Sequence, residues 1–118
     1  MTLTEFLLAR ISEDEAAALA AGSSGDDQHW WVDGPAKVSG KWWIYSTGEK
    51  FAHEHTARHI ARHDPARVLA ECEAKRRIVE LFPSPAPVDS WDEAGERVLE
   101  MLALPYADHP DYREEGQA

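Results

Sequence analysis

Apolar residues recur at Leu3, Phe6, Leu7, Ile11, Ala18 and Leu19, the spacing that lines one face of a helix. Thr2 followed by Glu5 is a capping-box pattern, and Gly22-Ser23-Ser24-Gly25 ends a helix rather than extending it. A first helix is therefore predicted over 3–21. From Gln28 to Ser46 the pattern becomes aromatic and β-branched, with Trp30-Trp31-Val32, Lys37-Val38 and Trp42-Trp43-Ile44-Tyr45 separated by Asp33-Gly34-Pro35 and Ser39-Gly40. This predicts two or three short antiparallel strands. Adjacent strand residues point to opposite faces, so half of the four tryptophans must face away from whatever covers the rest.

Helical spacing returns at Phe51 and runs to His63. The residue before a proline is disfavoured in helical geometry, so Asp64-Pro65 predicts a break. Asp64 also suits the N-cap of the next helix and Pro65 its first turn, which predicts a third helix to about residue 82. Val68, Leu69, Cys72, Val79 and Phe82 form its apolar stripe, with Lys75 and Arg76 at the edges. Glu71 to Lys75, Glu73 to Arg77 and Arg76 to Glu80 are supporting pairs one turn apart. Pro83, Pro85 and Pro87 read as a stiff linker. Ser90 with Glu93 opens a fourth helix whose apolar face is Trp91, Ala94, Val98, Met101 and Leu102, ending near Leu104.

The expected fold is α+β, a short antiparallel sheet of two or three strands packed against three or four helices, in the order helix, strands, helix, helix, helix. Residues 1–104 are expected to form a single domain, and 105–118 an irregular acidic tail whose tyrosines dock it.

Composition narrows the function classes. The chain has 118 residues, 43% hydrophobic and 29% charged, which fits one folded domain. Its net charge of -10 argues against direct binding of DNA or RNA, because that affinity rests on basic side chains that release counterions. The acidity reads as solubility, as a surface for a basic partner, or as a nucleic-acid mimic. A single cysteine, Cys72, makes no internal disulfide and no Cys-based metal motif, and on the third helix's stripe it reads as a small buried hydrophobe. With no secretion signal pattern and no long apolar run, a soluble cytoplasmic protein is expected, with no membrane partner.

Two motifs look familiar: HIARHDPARVL over His59–Leu69, continuing through Glu73–Arg77, and LALPYADHPDYREE over Leu102–Glu115. With the helical start around Glu5 to Glu15, they resemble a family of short actinobacterial and actinophage proteins whose function is unassigned. Members of that family usually follow the terminal acidic pair with a tryptophan, where this chain has Gly116-Gln117-Ala118. The resemblance implies no activity, substrate or catalytic residue.

Two groups of residues carry candidate chemistry. His55, His59 and His63 stand one turn apart, so their imidazoles fall within about 80° on one helix face, opposite Ala57, Ile60 and Ala61. This is a solvated polar face or a site for a divalent transition metal, with Asp64 as an oxygen ligand in competition with its capping role. His53 lies nearer the apolar side. His63-Asp64 is also similar to the His-Asp doublet of metal-dependent phosphohydrolases, with Asp89 as a later aspartate, although helix ending and capping account for the doublet. The second group is Trp30, Trp31, Trp42, Trp43 and Tyr45. Those rings that do not fill the core form an exposed patch for a protein partner. The leading expectation is a non-enzymatic protein-interaction module without a cofactor; the rivals are a metal-binding module or metal-dependent hydrolase, and an acidic nucleic-acid mimic. No oligomeric state follows from the sequence.

Overall fold

The computed structural model describes residues 1–22, 28–32, 37–40, 44–46, 53–82 and 90–112, with side chains for all of these except 44–46, 53, 54 and 90–92. Along the described chain run α1 (Leu3–Ala21), β1 (Trp31–Val32), β2 (Lys37–Ser39), β3 (Ile44–Ser46), α2 (His53–Arg62), α3 (Pro65–Leu81), α4 (Ser90–Ala103) and a 3-10 helix (Leu104–Tyr106). The fold is α+β, in the predicted order. The three strands form one antiparallel sheet with β2 in the middle. No helix among the described residues is long and apolar enough to cross a membrane. The linker prolines lie outside the described residues.

By its internal contacts the chain divides into two compact units, Met1–Glu13 with Cys72–Ala118, and Asp14–Glu71. The boundaries of these units run through α1 and α3. Residues 104–112 belong to the first of them.

In the first unit Thr2 begins α1 as expected: its Oγ1 accepts the Glu5 N–H at 3.1 Å and donates to Glu5 Oε1 at 3.2 Å. Phe6, Leu7, Ile11, Cys72, Val79, Leu99 and Ala103 are buried here. Complete burial of side chains such as Leu7, Ile11 and Leu99 stabilises by about 1.5–3 kcal/mol each. Cys72 donates its thiol to the Ile11 carbonyl at 3.8 Å, as a buried structural thiol does.

The buried face of α4 is turned by one residue from the predicted one. Gly95, Leu99 and Ala103 are inside, whereas Ala94 and Met101 are exposed, and the Trp91 side chain lies outside the described residues. The reason is the size of the residues. Phe82 lies against Gly95 so closely that a methyl group built there would sit 3.0 Å from its Cγ and 3.1 Å from its Cε1, closer still to its Cδ1. A reading that counts only large apolar side chains misses the glycine that admits the ring.

The second unit contains the sheet, α2, the first turns of α3 and the end of α1. α2 packs on β1 and β2, with Ala57 and Val38 fully buried. At the end of α1, Ala18 is buried as predicted, but Leu19 is half exposed. It stands about 100° round the helix from Ala18, outside the stripe.

Candidate functional site

Asp64 fixes the geometry of the second unit. As the N-cap of α3 it accepts the Arg67 N–H on Oδ1 at 2.9 Å, while its main-chain carbonyl accepts the Val68 N–H at 3.0 Å. Its Oδ2 accepts the Trp30 N–H at 3.2 Å, and the Gln28 carbonyl accepts the Ala66 N–H at 3.0 Å. The start of α3 is thus bonded to the residues that lead into the edge strand β1. Both carboxylate oxygens of Asp64 have hydrogen-bond partners, with His29 Nδ1 a further 4.0 Å from Oδ2, so this residue has the capping role expected of it.

The register pairs Trp31 with Ser39, Val32 with Val38, and Val38 with Tyr45. Val38 and Ser39 are buried. Trp31 is 48% exposed, although its cross-strand partner Ser39 is only 3% exposed. Trp30 is half-buried. Of the first two members of the predicted aromatic group, Trp31 is thus exposed and Trp30, one residue before the strand, is half-buried. Trp42 and Trp43 lie outside the described residues, as does the side chain of Tyr45.

On α2 the apolar positions face the sheet and His55 and His59 are exposed, as is His63 just past the helix end. The structure brings His59 and His63 together, with ring centroids 4.4 Å apart and planes tilted by 42°. His63 Nδ1 lies 2.8 Å from the His59 carbonyl oxygen, and the His63 N–H also reaches that oxygen at 3.3 Å and the Ile60 carbonyl at 3.1 Å. A carbonyl only accepts, so Nδ1 of His63 carries a proton, and the lone pair of the neutral ring is on Nε2. No group of three or more His, Cys, Asp and Glu among the described residues is arranged to hold a metal ion. His55 is exposed one turn away and Asp64 is engaged elsewhere.

A further polar network, centred on Arg10, was not legible as such in the sequence. Arg10 is 6% exposed, inside the buried face of α1 in the first unit. Its Nη2 donates to Glu13 Oε1 at 2.8 Å and its Nη1 to His109 Nδ1 at 3.0 Å, with Asp111 Oδ2 at 3.9 Å from Nη1. The Asp111 N–H donates to the same His109 nitrogen at 3.0 Å. Two donors on one nitrogen require the lone pair there, so His109 has the opposite tautomer to His63. The Arg10 guanidinium also lies 5.1 Å from the centre of the Phe6 ring. Phe6 receives Tyr106, His109 and Tyr112 edge-on at 6.3, 5.7 and 6.1 Å, each pair worth about 0.5–1.5 kcal/mol beyond area burial. Within the segment expected as a tail, Tyr106, His109 and Tyr112 thus meet Phe6, and Asp111 lies beside Arg10. Two signals were present: Arg10 falls about 20° from Leu3 on the helical wheel, in the middle of the stripe, and His109-Pro110-Asp111 is a turn-forming sequence.

These features define an α+β protein with an exposed tryptophan on an edge strand and, among its exposed imidazoles, a close pair at the end of one short helix. The chain belongs to DUF6221, a family of unknown function, whose model matches residues 1–117. No curated protein and no solved structure matches it.

Proposed function

We propose that this protein is a non-enzymatic interaction module of actinobacteria or their phages, working in the cytoplasm, that binds another protein through the aromatic strands of its second unit. The exposure of Trp31, 48% in a two-residue edge strand, is the observation that carries this reading. A tryptophan left half in water by a fold that buries Val38 completely is a large apolar surface with an N–H to place, the composition favoured at the centre of interfaces. Trp42, Trp43 and Tyr45 belong to the proposed patch by their place in the sequence. With 22 acidic against 12 basic residues, the partner that fits is one with a basic face, which charge steers into encounter while the aromatic rings supply the lasting contact.

The test is affinity capture from a lysate of an actinobacterial host with immobilised wild-type and Trp31→Ala protein, followed by titration of whatever the wild type alone retains. Loss of a hot-spot ring is expected to weaken that complex about 30-fold, equivalent to about 2 kcal/mol. Unchanged affinity overturns the reading. Capture that disappears with moderate salt in both proteins alike points to nucleic-acid mimicry by the acidic surface instead.

A further inference from the structure

We infer that His59 and His63 form a two-histidine chelate for a divalent late transition-metal ion of the copper, nickel and zinc class, with the remaining coordination positions filled from solvent. The inference is independent of the interaction reading, since it uses α2 and the residue after it rather than the aromatic strands.

Three observations carry it. The two residues are one turn apart, and their rings already lie 4.4 Å apart between centroids, so the side chains share one side of the helix without rearrangement. Both are exposed, so a hydrated ion reaches them without opening the fold. The His59 carbonyl fixes the His63 tautomer by accepting from its Nδ1 at 2.8 Å. A ligating histidine commonly donates its other ring N–H to a main-chain carbonyl, which orients the ring and raises the basicity of the free nitrogen, here Nε2.

The chemistry of the donors selects the ion. Imidazole nitrogens suit copper, nickel and zinc and are poor ligands for magnesium or calcium, and among divalent ions of the first row copper binds such a pair most tightly. Asp64, with both oxygens engaged in hydrogen bonds, is left out of the ligand set, as is His55 one turn earlier. Two protein ligands leave open positions. The ion is exchangeable at such a site, unlike one enclosed by the four ligands of a structural zinc centre.

The untagged full chain titrated with copper(II), nickel(II) and zinc(II) chlorides tests this. The expected result is one equivalent of bound ion, in the order copper above nickel and zinc. The copper spectrum in electron paramagnetic resonance should show two coupled imidazole nitrogens. His59→Ala and His63→Asn are each expected to weaken binding about tenfold or more, since even loss of a residue supporting a ligand weakens sites by about 10–100-fold. The asparagine keeps a donor for the His59 carbonyl, so α2 and its end persist while the imidazole is gone; circular dichroism verifies this. His55→Ala should bind as the wild type does. Nitrogen-15 spectra of the metal-free chain should show His63 protonated at Nδ1. Binding that survives both His59→Ala and His63→Asn, binding lost with His55→Ala, or a metal-free His63 protonated at Nε2 overturns the inference, as does absence of binding.

Discussion

His63 and His109 illustrate how far a residue type determines its chemistry. The same imidazole donates from Nδ1 in one place and accepts twice at Nδ1 in the other, because a carbonyl faces it in the first and a guanidinium and an amide face it in the second. Spacing brought His63 into view as a candidate, but only its partner shows which nitrogen is available. Arg10 is the reverse case: its wheel position lay within the apolar stripe, yet nothing local revealed that residues 109 and 111 would supply its partners, since those contacts link positions 99 and 101 apart in sequence. Arg10→Ala is expected to lower unfolding stability by about 1–3 kcal/mol, because it leaves polar groups of the docked segment without their donor. Arg10→Lys should recover only part of that, a single ammonium being unable to reach Glu13 and His109 together as the planar fork does. Urea unfolding of the two variants decides it; equal stability of Arg10→Ala and wild type would remove Arg10 from any anchoring role.

Helix limits were legible because their signals are local. Thr2 with Glu5 placed the start of α1 and Asp64 that of α3, each through a side chain bonding within three residues of itself, while the restriction before Pro65 placed the end of α2. Helix faces were less legible where small residues set them. Leu19 was read into a stripe it lies beside, and the buried side of α4 follows Gly95 rather than the larger Met101. The pairing along α3 also shifted: Glu73 meets Arg77 at 2.9 Å as read, but Glu71 is taken by Arg67 at 3.0 Å, and Lys75 lies 6.0 Å from the centre of the Tyr106 ring. Glycine to alanine inside a helix ordinarily stabilises by about 0.5–1 kcal/mol. At Gly95 the sign is expected to reverse, because the added methyl has to displace the Phe82 ring. Phe82→Leu should then cost less in the alanine background than in the wild type, a coupling that a double-mutant cycle on thermal unfolding measures. Additive effects would show that the contact is not tight.

At the scale of the whole chain, composition spoke most clearly about charge and least about grouping. An excess of 10 acidic residues, 22 against 12, repels itself in any compact state. Raising ionic strength from about 10 mM to about 150 mM shortens the Debye length from about 30 Å to about 8 Å, so the unfolding midpoint is expected to rise with salt; a fall would mean that ion pairs such as Arg10–Glu13 outweigh the net repulsion. The division into two units was hidden because α1 and α3 each carry one continuous helical pattern across the boundary. The bond from the Trp30 amide to Asp64 spans 34 positions, and all three strands and α2 lie between its ends. One carboxylate therefore ties off a loop of chain as a cross-link would, but reversibly and without any redox chemistry. Its release frees the Trp30 and Arg67 amides in a single event, so these two protons are coupled in hydrogen exchange although no periodicity in the sequence relates them.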